Sequence, residues 1–204
     1  MAHKLTHLVI VDIEATCWQT PKTDTDPLDR QPEIIEIGLA VLDMRAMTVG
    51  DKWSTLVAPR YSQVSPYCTS ITNITPEMLA GAPSLEQACE TLARQFTTLV
   101  HPWASWGDFD REQFVRQCAR DKVKYPFGRT HFNLKSLFGL VGSSGKEVSM
   151  MIALGMLGLK LRGNHHRAGD DAFNTACMAR EIFKRLKSKA PPNWTAALEE
   201  RPTP

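Results

Sequence analysis

No apolar run in this chain is long enough to cross a bilayer. The longest, Met150 to Leu159, is broken by Gly155 and Gly158, whereas a spanning helix needs about 20 consecutive apolar residues. A secretory leader is not expected either. Met1-Ala2-His3-Lys4 runs almost directly into Leu8-Val9-Ile10-Val11, without room for a charged region, a long apolar region and a cleavage site. No C-x-x-C pair occurs among the 5 cysteines, Cys17, Cys68, Cys89, Cys118 and Cys177. Their odd number and wide spacing argue against a disulfide framework and a zinc site, and fit reduced thiols in the cytoplasm. Strong charge of either sign is missing. A net charge of +2 and a pI of about 8.3 permit a polyanionic partner without announcing one. Repeats and low-complexity linkers are absent too. With 43% hydrophobic and 23% charged residues in 204, the chain has enough material for one domain with its own core, and it is not a disordered, collagenous or coiled-coil sequence.

The patterning predicts strands first and helices later. Thr6 to Ile13 is a buried strand, continuous and β-branched at Leu8-Val9-Ile10-Val11. Gln19 to Gln31 is a polar loop, long enough to be a candidate lid. Glu33 to Asp43 and Trp53 to Ala58 are two further strands, paired as an antiparallel meander, and Ala104 to Gly107 is a short fourth. Thr75-Pro76 and Ser84-Leu85-Glu86-Gln87 are helix starts, the second with a capping box, and its helix is expected to reach about Val100. Helices are also predicted over Phe109 to Arg120, with Phe114, Val115 and Cys118 on one face, and over Leu134 to Val141, Lys146 to Leu157 and Asp170 to Lys187.

Three acidic points stand out. Asp12 and Glu14 lie at the end of the first strand, and alternation puts them on one face. Adjacent carboxylates repel and raise each other's pKa unless a cation neutralises them, and hard divalent cations take such oxygens. A strand end meeting solvent is the plainer explanation for this pair alone. Asp108 and Asp110 sit at a strand-to-helix turn, where either could instead be a cap. In His165-His166-Arg167-Ala168-Gly169-Asp170-Asp171 a histidine precedes an acid by five positions in two frames, His165 with Asp170 and His166 with Asp171. A histidine beside a bound water can take its proton near neutral pH, although a solvated loop ahead of an acidic helix start has the same composition.

Taken together and in this order, the words DIEATC, EIIEIG, ITPEMLAGAPS, SWGDFD and HHRAGDDAFNTA resemble the DEDDh exonucleases. These are the DnaQ-like branch of the ribonuclease H-like fold, and the likeness is greatest to the histone-mRNA and small-RNA 3′-exonuclease subfamily. The resemblance covers roughly residues 6 to 187. It implies an α/β fold with a mixed central sheet flanked by helices. An exonuclease domain is accordingly expected over residues 1–188, and the Pro-rich composition of 189–204 predicts a flexible tail. The resemblance makes Asp12, Glu14, Asp110 and Asp171 the ligands of two divalent cations, Mg²⁺ or Mn²⁺, and His166 the general base, which selects the second histidine frame. Asp170 and His165 become helix-end and loop residues. Ala15 and Thr16 match positions where the family's backbone touches the 3′-terminal nucleotide.

Other candidates for substrate contact come from the residues themselves. Trp18 and Phe109 are possible stacking surfaces for bases, with core packing as the alternative for Phe109. Ile74 is a possible wedge against the terminal base, or a core residue. Arg129, Lys135, Arg162 and Arg167 could meet phosphates or be ordinary surface charges. Trp103 and Trp106 are expected in the core.

The leading expectation is a cytoplasmic, metal-dependent 3′→5′ exonuclease that acts on single-stranded or overhanging RNA ends, with no membrane partner and no indication of oligomeric state. The alternatives are a DNA exonuclease, a non-catalytic protein on the same fold, and a phosphatase or phosphodiesterase on small nucleotides. Burial of Trp18 and Phe109 would favour the last. Retention of every expected ligand type argues against the non-catalytic reading.

Overall fold

The computed structural model describes residues 6–20, 30–142 and 145–189. The elements in order are β1 (His7–Ala15), β2 (Ile34–Asp43), β3 (Thr48–Val49), β4 (Trp53–Leu56), α1 (Pro66–Thr72), α2 (Pro76–Leu79), α3 (Leu85–Gln95), β5 (Trp103–Ser105), α4 (Phe109–Asp121), β6 (His131–Asn133), α5 (Leu134–Val141), α6 (Met150–Leu157) and α7 (Ala168–Lys189). They form a mixed sheet in the order β3-β2-β1-β5-β6, with β4 paired to β2. Pairing is antiparallel from β1 through β2 to β3 and β4, and parallel from β1 through β5 to β6. Residues 21–29 of the Gln19–Gln31 loop expected as a lid, and the tail from residue 190, lie outside the described residues.

Alternation along β1 builds both layers. Val9, Val11 and Ile13 pack under α3 and α4 with Leu92, Phe114 and Trp103. Leu8 and Ile10 face the other way, onto Ala176 and Ala179 of α7. Asp12 and Glu14 continue this second row past the point where apolar packing ends. Helix α7 can lie close because its inner face is alanine: Ala168, Ala172, Ala176 and Ala179 are all fully buried. Closest approach is at Gly38 of β2. A Cβ there would stand 1.9 Å from the backbone carbon and oxygen of Ala168. Gly38→Ala must therefore push the start of α7 off the sheet. The expected cost is about 3 kcal/mol or more, because neither partner is a flexible side chain; urea unfolding checks it, and a cost below about 1 kcal/mol contradicts this packing.

Several boundaries differ from the sequence-based expectation. Helix α3 keeps its capping box, with Ser84 and Gln87 bonded reciprocally, but stops at Gln95, with Phe96 as C-cap. Thr75 occupies the N-cap position of α2 but makes no side-chain capping bond. Helix α6 begins only at Met150, where the Ser149 side chain accepts the Ile152 N–H. On α4, Phe114 and Cys118 are buried as expected, whereas Val115 is exposed, since it lies about 100° round the helix from Phe114. Strand β6 and helix α1 were not foreseen. Trp103 is fully buried and Trp106 partly so, its Nε1 donating to the Val148 carbonyl at 3.1 Å.

Candidate active site

The last residues of β1, the start of α4 and the start of α7 converge on one point. Strand β5 ends at Ser105, so the Ile13 N–H beyond it has no strand partner. Asp110, in the first turn of α4, accepts that N–H at 3.0 Å and is thereby fixed beside Asp12 and Glu14. A register irregularity falls between Glu14 and Ala15, where extra twist re-aims the strand end. From the other side α7 brings Asp171. Ligand atoms of Asp12, Glu14 and Asp171 lie within 4.8 Å of one another.

Four carboxyl groups in one half-buried place hold their protons abnormally well. Burial, then the charges of Asp110, Asp171, Glu14 and Glu36, raise Asp12 far above the usual carboxylate range. Burial, followed by Asp171, Glu36 and Asp110, pushes Glu14 up to about 8. Asp110 rises to about 7 through burial, against hydrogen bonds that favour its charged form. Burial also raises Asp171. Such a cluster is unfavourable when fully ionised and alone, and divalent cations with oxygen ligands relieve the repulsion. One further sign of fit is Asp171 Oδ1, which is buried and has no hydrogen-bond partner among the described residues.

The charge cluster sets the pH dependence of stability. An acid with a raised native pKa binds more protons folded than unfolded, so stability falls as pH rises toward the native value. Below about pH 6.5 the lowered histidines, His131 at about 4 among them, act in the opposite sense. The clean window is therefore pH 6.5 to 8, where Asp110 and Glu14 lose their protons in the folded state. Without divalent metal the melting temperature is expected to fall across this window, and saturating Mg²⁺ or Mn²⁺ to raise it most at pH 8. Thermal melts in EDTA and in metal decide; a rise with pH in EDTA contradicts the account.

The two adjacent histidines play different parts. His166 has a left-handed backbone, φ 64°, and its N–H donates to Asp171 Oδ2 at 2.8 Å. Its ring Nδ1 faces Glu14 Oε1 at 3.9 Å, and the side chain is 46% exposed. Burial and the neighbouring His165 lower its pKa, which favours the neutral, proton-accepting imidazole. His165 bonds Asp171 Oδ2 through Nδ1 at 2.9 Å and stacks on the His166 ring, with centroids 3.9 Å apart and planes 20° from parallel. The expectation that His165 is a plain loop residue misses both contacts. Asp170 does behave as a helix-end residue: it accepts the Asn164 N–H at 2.8 Å and pairs with Lys52.

Behind this row, Glu36 fixes the start of α7. It lies opposite Glu14 in the β1–β2 ladder and is buried. It accepts Arg167 Nε and Nη2 at 3.0 Å each and the Ala168 N–H at 3.0 Å. Arg167 is thus spent on a bidentate clamp, not offered to a phosphate as its sequence position suggested. Lys135 pairs with Glu147 at 3.7 Å, and Arg162 lies over the Phe173 ring. Arg129 is exposed.

The candidate substrate contacts divide. Phe109 is 52% exposed at the head of α4, next to Asp110. Trp18 is half-buried, with the Arg30 guanidinium 5.6 Å from its ring. Ala15 sits at the rim of the core, and its carbonyl accepts the Cys68 thiol at 3.6 Å. Ile74 corrects the wedge reading: it is fully buried against Ile35, Cys68 and Leu79, so no base can reach it in this arrangement. Thr16 is also fully buried. Its N–H donates to the Glu33 carbonyl, and its Oγ1 accepts the Glu33 N–H at 2.9 Å and meets Ser62 Oγ at 2.8 Å. Its side chain and N–H are therefore structural. Sequence reasoning missed the hub beneath it. Buried Glu33 receives N–H groups from Arg60, Tyr61 and Ser62 and an ion pair from Arg120.

The family model RNase_T, described as exonuclease, matches residues 9–179. The chain is 33% identical over 189 residues to the Homo sapiens protein named ERI1 exoribonuclease 3, covering 88% of this chain and 54% of that protein. It is 26% identical over 183 residues to 3′-5′ exoribonuclease 1 of Rattus norvegicus, covering 85% and 52%. The chain spans about half the length of these curated relatives. Its fold superposes on the nuclease domain of 3′hExo, described as a DEDDh family member bound to rAMP, with a TM-score of 0.75 at 24% identity, covering 90% of this chain and 94% of that one. The ribonuclease H-like fold with a mixed sheet flanked by helices is thereby established. Among the described residues no helix is long and apolar enough to cross a membrane.

Proposed function

The chain belongs to the RNase_T exonuclease family, and from that premise we propose that it removes nucleotides from the 3′ ends of single-stranded or overhanging RNA, releasing nucleoside 5′-monophosphates. The observation that carries this reading is the convergence of Asp12, Glu14 and Asp171, with Asp110 fixed alongside and the His166 ring facing Glu14. In this reading the four acids hold two divalent cations, Mg²⁺ or Mn²⁺. Bound there, such ions would make a water nucleophilic and would neutralise charge on the scissile phosphate and leaving oxygen.

The chain's own groups do the rest. Nδ1 of His166 faces Glu14 Oε1 across 3.9 Å, so a water held at Glu14 lies within reach of the ring, which takes its proton. Exposed Phe109 supplies a face for a base beside the cleavage point, a contact typically giving about 1–3 kcal/mol. That exposure also weighs against a small-nucleotide phosphatase, which would bury the ring. Support for RNA comes from the relatives, which are named exoribonucleases. The 2′-hydroxyl contact that distinguishes RNA from DNA belongs near Glu14 and Ala15, at the strand end.

Digestion of matched 5′-labelled RNA and DNA oligomers tests the substrate. A ladder shortening from the 3′ end, faster on RNA, is expected. Faster shortening of DNA replaces the RNA reading with a DNA exonuclease, and no shortening of either removes the proposal.

A further inference from the structure

We propose that His165 is a positioning residue for this centre: through one hydrogen bond it sets the orientation of Asp171, and through its ring face it sets the orientation of His166. The inference rests on the exonuclease reading above and adds to it a residue that the reaction itself does not require.

The two oxygens of Asp171 are treated unequally. Oδ2 accepts both the His165 Nδ1–H at 2.9 Å and the His166 backbone N–H at 2.8 Å. Oδ1 is buried and, among the described residues, has no hydrogen-bond partner. Two donors converging on one oxygen stop the carboxylate from rotating, and they leave the other oxygen as its free ligand atom. Groups behind a ligand commonly act in this way, and their loss typically weakens metal affinity about 10- to 100-fold. Because an ionised carboxylate only accepts, the bond also places the His165 proton on Nδ1.

The same ring does a second job. His166 is nearly half exposed, and its Nδ1 stands 3.9 Å from Glu14 Oε1, beyond hydrogen-bond distance. Its backbone is held in a region that non-glycine residues seldom occupy. A side chain so placed has several rotamers open to it. The His165 ring, 3.9 Å away and 20° from parallel, covers one face and favours the rotamer that faces the carboxylates. A loop residue of no consequence would not be expected to make both the bond and the stack.

Two substitutions separate the functions. Asn keeps an N–H donor at the position of Nδ1 but has no ring, whereas Phe keeps the ring and has no donor. Mn²⁺ binding is measured by calorimetry on the full chain, kcat and KM on a 5′-labelled RNA oligomer at saturating Mn²⁺, and melting temperature in EDTA. For His165→Phe the expected result is Mn²⁺ affinity about tenfold weaker, with kcat at saturating metal within about twofold of wild type. For His165→Asn it is near-wild-type Mn²⁺ affinity and kcat roughly tenfold lower at unchanged KM, less than the 10²- to 10⁴-fold that loss of the proton-transfer group itself costs. Equal loss of Mn²⁺ affinity in both variants overturns the proposal in favour of His165 as a direct ligand. Wild-type values in both overturn it outright, as do losses that merely track a lower melting temperature. If the wild-type chain cuts no oligomer, the function proposed above fails, and the Mn²⁺ measurement alone decides the role of His165.

Discussion

Asp12→Ala is expected to abolish turnover and leave the fold intact. Asp12 sits centrally in the cluster: its proton affinity is raised by burial and then by each of Asp110, Asp171, Glu14 and Glu36. If it helps hold the cations, its removal forfeits several kcal/mol of charge stabilisation in the transition state, a loss of about a thousandfold or more in kcat. Stability should move the other way. Without metal, an ionised carboxylate surrounded by four others is a cost to the folded state, so the metal-free variant is expected to melt at or above the wild-type temperature at pH 8. Divalent metal should then raise its melting temperature much less than it raises that of the wild type. A variant that is both inactive and strongly destabilised in EDTA would assign Asp12 a structural role and leave the loss of activity uninformative.

His166→Ala is expected to cost about 10²- to 10⁴-fold in kcat, the usual range for a lost general base, with little change in KM. His165→Ala should cost distinctly less, since its Nδ1 is already committed to Asp171 Oδ2 at 2.9 Å and only orientation is lost. The reverse order would mean that the first histidine frame is the working one. The structure supplies a reason to expect this order beyond spacing. His166 Nδ1 faces Glu14, whereas Asp170, the acid that the first frame would use, faces Asn164 and Lys52. A pH profile adds an independent check: with its pKa lowered by burial and by His165, His166 is already the free base at neutral pH, so its deprotonation should limit kcat only on the acid side.

What the sequence made legible follows from how local each signal is. Alternation over β1 puts Asp12 and Glu14 on one face whatever surrounds them, and the Ser84 capping box needs only four residues. Helices α4 and α7 could be read because their apolar periods are long enough to stand out. Contacts that span the fold could not. Gly38 carries no mark that it abuts Ala168, 130 residues on in the chain. Thr16 and Ile74 have the composition of substrate contacts or of core, and only tertiary packing, against Glu33 and Ser62 in one case and Ile35 and Cys68 in the other, decides for core. Arg167 looks like a phosphate ligand until Glu36 is placed opposite it. Strand β6, three residues long, has too little pattern to show. The pairing of His165 with Asp171 and its stack on His166 depend on the turn between them, which the spacing of the two histidine frames does not encode.

The central claim is that this carboxylate cluster is a divalent-metal centre for hydrolysis at RNA 3′ ends. The most direct measurement follows nucleotide release from a 5′-labelled RNA oligomer as Mg²⁺ or Mn²⁺ is titrated from zero in the wild type and in Asp12→Ala, with the products identified by chromatography. The account predicts nucleoside 5′-monophosphates that appear only with metal, saturate as metal rises, and are absent from the variant. Release that persists in EDTA, or that is undiminished in Asp12→Ala, would contradict it.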